Sequence, residues 1–326
     1  MKHLERALDG QNSFWKYLAM TLILFLGAST IGSLPLAVTM IVNTIKNGIP
    51  DVVSANITDL SSYGINGNTG FFLLLLTFLP MLFAFKWLVR PFHKRTITET
   101  INGRNRLRKG RIGMGMLVWG ALMSLTLIYG LIVSPENYQF QFHFGRFLIL
   151  LLITLSILPF QTTFEELFFR GYLSQGLAAA TRNRWATLII ISLAFGLMHA
   201  VNPEVKEFGF WISIPSYILM GVILGAVSIL DDGIELAIGI HFMNNAFIAL
   251  FTTHSASVFQ TDALFRVKEI NPVGELIWMG IFAVVVILLL AKIYHWDFAI
   301  FNQKIKATPP PLPDLYASTE DNSQGK

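Results

Sequence analysis

The chain has 326 residues, 53% of them hydrophobic and 13% charged, with a formal charge of +4 and a mean hydropathy of +0.57. A soluble domain carries about 25% charged residues, and here the apolar residues run in long unbroken stretches, so the composition excludes a water-soluble globular fold in favour of a chain dissolved in lipid. The basic residues flank those stretches instead of forming a patch, which argues against nucleic acid as a partner; the absence of Cys removes disulfides, thiolate nucleophiles and thiolate metal sites.

In chain order, eight stretches reach or approach the roughly 20 apolar residues that a bilayer-crossing helix needs. They cover 17–42, 70–89, 112–133, 147–164, 185–200, 211–230, 236–253 and 276–296. The first is too long for the core of a cleavable signal peptide, and no small-residue cleavage pattern follows it. The connector after it carries the glycosylation sequon Asn56-Ile57-Thr58. The connector after the second is dense in Lys and Arg, from Lys86 to Arg111. With the N-terminus placed in the cytoplasm, 18 of the 24 Lys and Arg fall inside and 5 outside, Arg170 being set aside. That bias puts both termini inside. The expectation is an all-α polytopic membrane protein of about eight transmembrane helices, in the cell membrane. Residues 1–303 form a single transmembrane helical domain, and 304–326, with its Pro-rich run, form a disordered cytoplasmic tail.

Polar groups inside a span are expensive and need a reason. The fourth span runs into Glu165-Glu166-Leu167-Phe168-Phe169-Arg170. Glu166 and Arg170 are four residues apart and face each other on a helix, and a bidentate pairing would hold Glu166 ionised. Glu165 points about 100° away, a free carboxylate suited to general-base work. Taken alone, the three side chains fit an interfacial cap equally well. The fifth span ends in Phe195-Gly196-Leu197-Met198-His199, with Phe195 and His199 on one face. A single His there is more often a packing residue. The seventh span holds His241, Asn244 and Asn245, for which hydrogen bonding between helices is the plainer reading. Together, a carboxylate, two imidazoles and a carboxamide on three spans suggest one interior site. His254 and Glu235 lie on other faces of the seventh span by helical count, and Asp231, Asp232 and Glu235 suit the start of that helix electrostatically.

These three motifs, Glu165-Glu166-x-x-x-Arg170, Phe195-x-x-x-His199 and His241-x-x-x-Asn245, resemble in order and spacing those of the CAAX protease and bacteriocin-processing (Abi) family. That family includes type II CAAX prenyl endopeptidases and lysostaphin-resistance-like proteins. The resemblance covers about 147–253 and implies an intramembrane endopeptidase. Carried over residue by residue, it makes Glu165 and His199 the activators of a water, His241 and Asn245 the stabilisers of the oxyanion, and Glu166 and Arg170 the supporting pair, with Phe195 and Asn244 beside them. The implied substrate is a membrane-associated peptide or protein, prenylated or else a bacteriocin leader or signalling peptide. No cofactor is favoured. Zinc on Glu165, His199 and His241 is the alternative, although no His-Glu-x-x-His occurs. A non-catalytic immunity or scaffold protein, whose polar cluster fixes helix packing, is the competing function, with a proton- or solute-coupled transporter behind it.

One expectation of depth follows from a rise of 1.5 Å per residue. His241 lies about 10 Å into its span and His199 about 20 Å into its own, although both spans start at the same face. For the two to meet, the fifth span must tilt or begin along the surface.

Overall fold

The structure, a computed structural model, describes residues 3–48, 60–104 and 106–306. Among the described residues, six helices are long and apolar enough to cross a membrane. They are α1 (Phe14–Asn47), α2 (Gly67–His93), α3 (Lys109–Val133), α4 (Phe144–Thr181), α6 (Phe210–Leu230) and α8 (Pro272–Tyr294). Two shorter apolar helices complete the order, α5 (Arg184–Met198) and α7 (Glu235–Phe251). At about 1.5 Å per residue these two reach only ~22–26 Å, short of the ~30 Å of hydrocarbon. α7 is buried along most of its length by its neighbours, whereas α5 leaves Ile189, Ile190, Leu193 and Leu197 exposed along one side. The sequon at Asn56 lies outside the described residues, as does the tail from 307. The packed chain runs past the expected boundary at 303, because Ile305 is buried and its N–H donates to the Arg182 carbonyl at 3.4 Å.

The connectors sort to two ends. At one, β1 (Tyr138–Phe140), from the α3–α4 connector, pairs antiparallel with β3 (Phe265–Val267), Gln139 opposite Arg266. β2 (Thr252–Thr253) pairs parallel with the other edge of β3. At the other end the N-terminal segment meets the α2–α3 and α6–α7 connectors. There Arg108 bridges Asp231 at 3.1 Å and Glu235 at 2.5 Å, Arg111 holds Asp231 at 3.3 Å, and the His3 N–H donates to Asp232. Burial pushes the Asp231 carboxyl up to about 6 against those two guanidinium groups. The acids at the start of α7 therefore do more than favour a helix dipole: they tie two connectors together.

Two details of helix packing position the site. α4 is interrupted twice. Pro159 follows a turn at Ile157, where it removes a helical N–H donor, and Leu167–Leu173 is wound as a π-helix. Such widened turns occur frequently at functional sites. The second detail is the contact of α3 with α7. A Cβ on Gly115 would come 2.4 Å from the Leu236 carbonyl oxygen, and one on Gly239 would meet the Ile112 carbonyl oxygen at 2.0 Å. Glycine lets the two backbones touch. Gly239 is about 200° around α7 from His241, so this contact presses the back of α7 onto α3 and turns His241 toward α4.

Candidate active site

The polar residues of α4 and α7 meet in the bundle. Glu166 is fully buried and its Oε1 accepts from two donors, Arg170 Nη1 at 2.8 Å and His241 Nδ1 at 2.7 Å. The pairing with Arg170 is through one oxygen, where the sequence suggested a bidentate pair. The second guanidinium nitrogen donates instead to the Gly221 carbonyl of α6 at 3.4 Å, and the Phe195 ring lies 4.1 Å from the guanidinium carbon. The reason is competition: His241 claims the same oxygen and keeps the carboxylate from lying flat against the fork. Glu165, with 13% of its side chain exposed, sits on the other side of His241, its Oε2 3.6 Å from His241 Nε2. Its Oε1 accepts from Gln161 Nε2 at 2.5 Å, whereas Oε2 is buried and without a hydrogen-bond partner.

Asn245 joins this group from α7, its Nδ2 donating to Gln161 Oε1 at 3.1 Å. Asn244 donates to Asn245 Oδ1 at 3.0 Å and accepts from the Trp119 indole N–H of α3 at 3.1 Å. His199 closes the group from the end of α5 through ring contacts. Its Nδ1 is bonded to the Phe195 carbonyl at 2.8 Å, and its ring lies 4.7 Å from Phe195, which in turn is 6.0 Å from His241. Tyr217 of α6 stacks on the far face of His199 at 4.3 Å, its hydroxyl accepting from Asn202 at 3.0 Å. The structure thus gathers all eight singled-out residues, with hydrogen bonds among those of α4 and α7 and aromatic packing to His199. Three partners were not foreseen. Gln161 is four residues before Glu165, the spacing that flagged Glu166 and Arg170, and was readable on that rule. Trp119 and Tyr217 come from other helices, and nothing local in the sequence marks them. His254 is in the connector after α7, 6.4 Å from the Phe208 ring, where burial pushes its imidazole down to about 4.

The depth problem has its answer in the length of α4. The stretches 166–181 and 184–199 contain equal numbers of residues, about 22 Å each at ~1.5 Å per residue. The α4–α5 turn therefore hangs well below the start of α7, and α5 climbs back to bring His199 level with the two carboxylates. The low turn is fastened by Arg184, which pairs with Glu5 at 3.0 Å and donates to the Gln303 carbonyl.

Zinc requires three converging protein ligands and an open position. Among the described residues no group of three His, Cys, Asp or Glu side chains is arranged to hold a metal ion. The Nδ1 of His241 is held by Glu166 and that of His199 by a carbonyl, the arrangement that orients an imidazole and leaves its Nε2 open, so the two Nε2 atoms and Glu165 Oε2 are the atoms that would have to converge on a metal. What the arrangement offers is a carboxylate with one oxygen held and one free, an imidazole beside it and a carboxamide with an uncommitted N–H.

A family model described as Type II CAAX prenyl endopeptidase Rce1-like matches residues 145–247, from the start of α4 into α7. "Uncharacterized protein YyaK" of Bacillus subtilis (strain 168) is 30% identical over 302 residues, spanning 91% of this chain and 96% of that protein. No solved structure matches the chain. The matched region contains Glu165, Glu166, Arg170, Phe195, His199, His241 and Asn245, and with six helices able to cross a bilayer around it, the chain belongs to the CAAX protease family of intramembrane endopeptidases.

Proposed function

We propose that this multi-pass membrane protein hydrolyses a peptide bond in a membrane-associated substrate by a glutamate-activated water. The observation that carries the reading is the free, buried Oε2 of Glu165, 3.6 Å from His241 Nε2 within a cluster built from separate helices. In this mechanism Glu165 takes a proton from a water that His199 helps to hold, and the hydroxide adds to the scissile carbonyl carbon. The resulting oxyanion is met by His241 Nε2 and Asn245 Nδ2. Glu165 then returns the proton to the amide nitrogen, the C–N bond breaks, and a carboxylic acid and an amine leave, the acid passing its proton to the amine. Because Glu166 accepts from His241 Nδ1, Nε2 can donate only from the doubly protonated ring. Arg170 and that imidazolium then balance the two carboxylates. Donors aimed at an oxyanion in a water-poor site contribute about 2.7–4 kcal/mol each.

The substrate in this reading is a peptide presented at the membrane, with prenylated and unprenylated peptides as the two classes to compare. The test is cleavage of a peptide library, with and without a farnesylated C-terminal cysteine, by the purified protein. Turnover is expected to persist with chelator and to fall by about 100-fold or more in Glu165→Gln. Loss of turnover to chelator would restore the metal-dependent reading. Full activity in Glu165→Gln and His241→Ala together would remove the enzymatic one and leave the packing role of a scaffold.

A further inference from the structure

Four hydrogen bonds join Trp119 to Glu165 in an unbroken line. The indole Nε1 donates to Asn244 Oδ1 at 3.1 Å, Asn244 Nδ2 to Asn245 Oδ1 at 3.0 Å, Asn245 Nδ2 to Gln161 Oε1 at 3.1 Å, and Gln161 Nε2 to Glu165 Oε1 at 2.5 Å. The ends fix the direction of the whole line. An indole N–H can only donate, and an ionised carboxylate can only accept. Asn244 must therefore show its oxygen to Trp119 and its nitrogen onward, and the same choice is forced on Asn245 and Gln161 in turn. No amide in the line can flip without breaking two bonds. Trp119 and Gln161 are buried, at 1% and 5% exposure, so a broken bond at either has little water to compensate it.

From this geometry we infer that Gln161 is the positioning residue of the reaction, oriented by a one-way hydrogen-bond relay that starts at Trp119. The inference rests on the roles proposed for Glu165 and Asn245. The Gln161 amide holds Oε1 of Glu165 and leaves Oε2 to take the proton of water. It also holds one of the two hydrogens on Asn245 Nδ2 and leaves the other for the oxyanion. One side chain thus sets the angle between the group that attacks and the group that receives charge. Gln161 touches no reacting atom; it acts through the two that do. Because the bonds run in series, each polarises the next, and the effect of Trp119 reaches Glu165 across three amides.

The test uses Gln161→Met, which keeps length and apolar volume but neither donates nor accepts as an amide does, and Trp119→Phe at the far end. Infrared difference spectra of purified full-length protein identify the carboxylate stretch that Glu165→Gln removes. That band is expected to shift in Gln161→Met, and to shift in the same direction by less in Trp119→Phe. On whichever library peptide the wild type cleaves, kcat in Gln161→Met is expected to fall about 10–100-fold, the scale of a small misplacement of a catalytic group, with KM within about threefold. An unmoved Glu165 band in Gln161→Met overturns the inference, as does a loss confined to KM. If the wild type cleaves no peptide, the proposed function fails, and the band alone still decides whether Gln161 sets the carboxylate.

Discussion

Glu166 illustrates how much a single atom can organise. Its Oε1 accepts from Arg170 and from His241, so one buried oxygen neutralises a guanidinium and orients an imidazole on another helix. Removing one member of a buried ion pair leaves an uncompensated charge and costs about 3–5 kcal/mol. Arg170→Met is accordingly expected to lower thermal stability in detergent by that order, whereas Glu165→Gln, which keeps the Oε1 bond from Gln161 and gives up only the longer 3.6 Å approach to His241, is expected to lose less. Equal losses in the two variants would contradict this division of labour. The i,i+4 rule exposed the Glu166–Arg170 link in the sequence because both partners lie on one helix. The His241 link spans 75 residues and Tyr217 stacks on His199 across two helices, and local spacing has no access to either.

At the level of the helix, the eight apolar stretches were legible and their ends were not. The fourth stretch reads as 147–164 continuing as a polar-bearing helix, and α4 runs Phe144–Thr181, an end that the sequence leaves unmarked. Hydropathy loses it where Gln161, Glu165, Glu166, Arg170 and Gln175 follow one another, the residues for which the helix continues. Its lower half is held by protein contacts: the Gln175 amide donates to the carbonyls of His3 and Glu99, and the His3 ring is bonded to the Arg170 carbonyl at 3.0 Å. The apparent mismatch in depth between the two histidines came from the same hidden half. Close packing of α3 on α7 makes a separate prediction. Gly239→Leu puts a side chain into the Ile112 carbonyl, and overpacking of this kind costs about 1–3 kcal/mol. Because His241 moves with α7, kcat is expected to fall by about 100-fold even where the protein still folds. Full turnover in a folded Gly239→Leu protein would show that the α3 contact does not set the position of His241.

Over the whole molecule, the sorting of connectors to two ends agrees with a chain that crosses repeatedly, and the excess of Lys and Arg at one end makes a cytoplasmic position of that end the expectation to test. The chain has no Cys, so single cysteines report on each end without background. In intact cells an impermeant maleimide is expected to label Ser255→Cys, next to the sheet, and to leave Leu107→Cys unlabelled until the membrane is opened. The reverse pattern would invert the topology. Fold class was readable because lipid imposes a coarse, one-dimensional pattern on composition. The meeting of α4, α5 and α7 was readable only through the three motifs, since which helices become neighbours is a property of the assembled bundle.

The shared oxygen of Glu166 also constrains how such a protein changes over time. Replacements at residues bound to one atom do not add: once Glu166 is gone, Arg170 has lost its counter-charge and His241 its orientation, and a second replacement meets a different background from the first. A replacement at any one of the three positions strips a partner from the other two, so paired replacements are expected to cost less than the sum of the single ones.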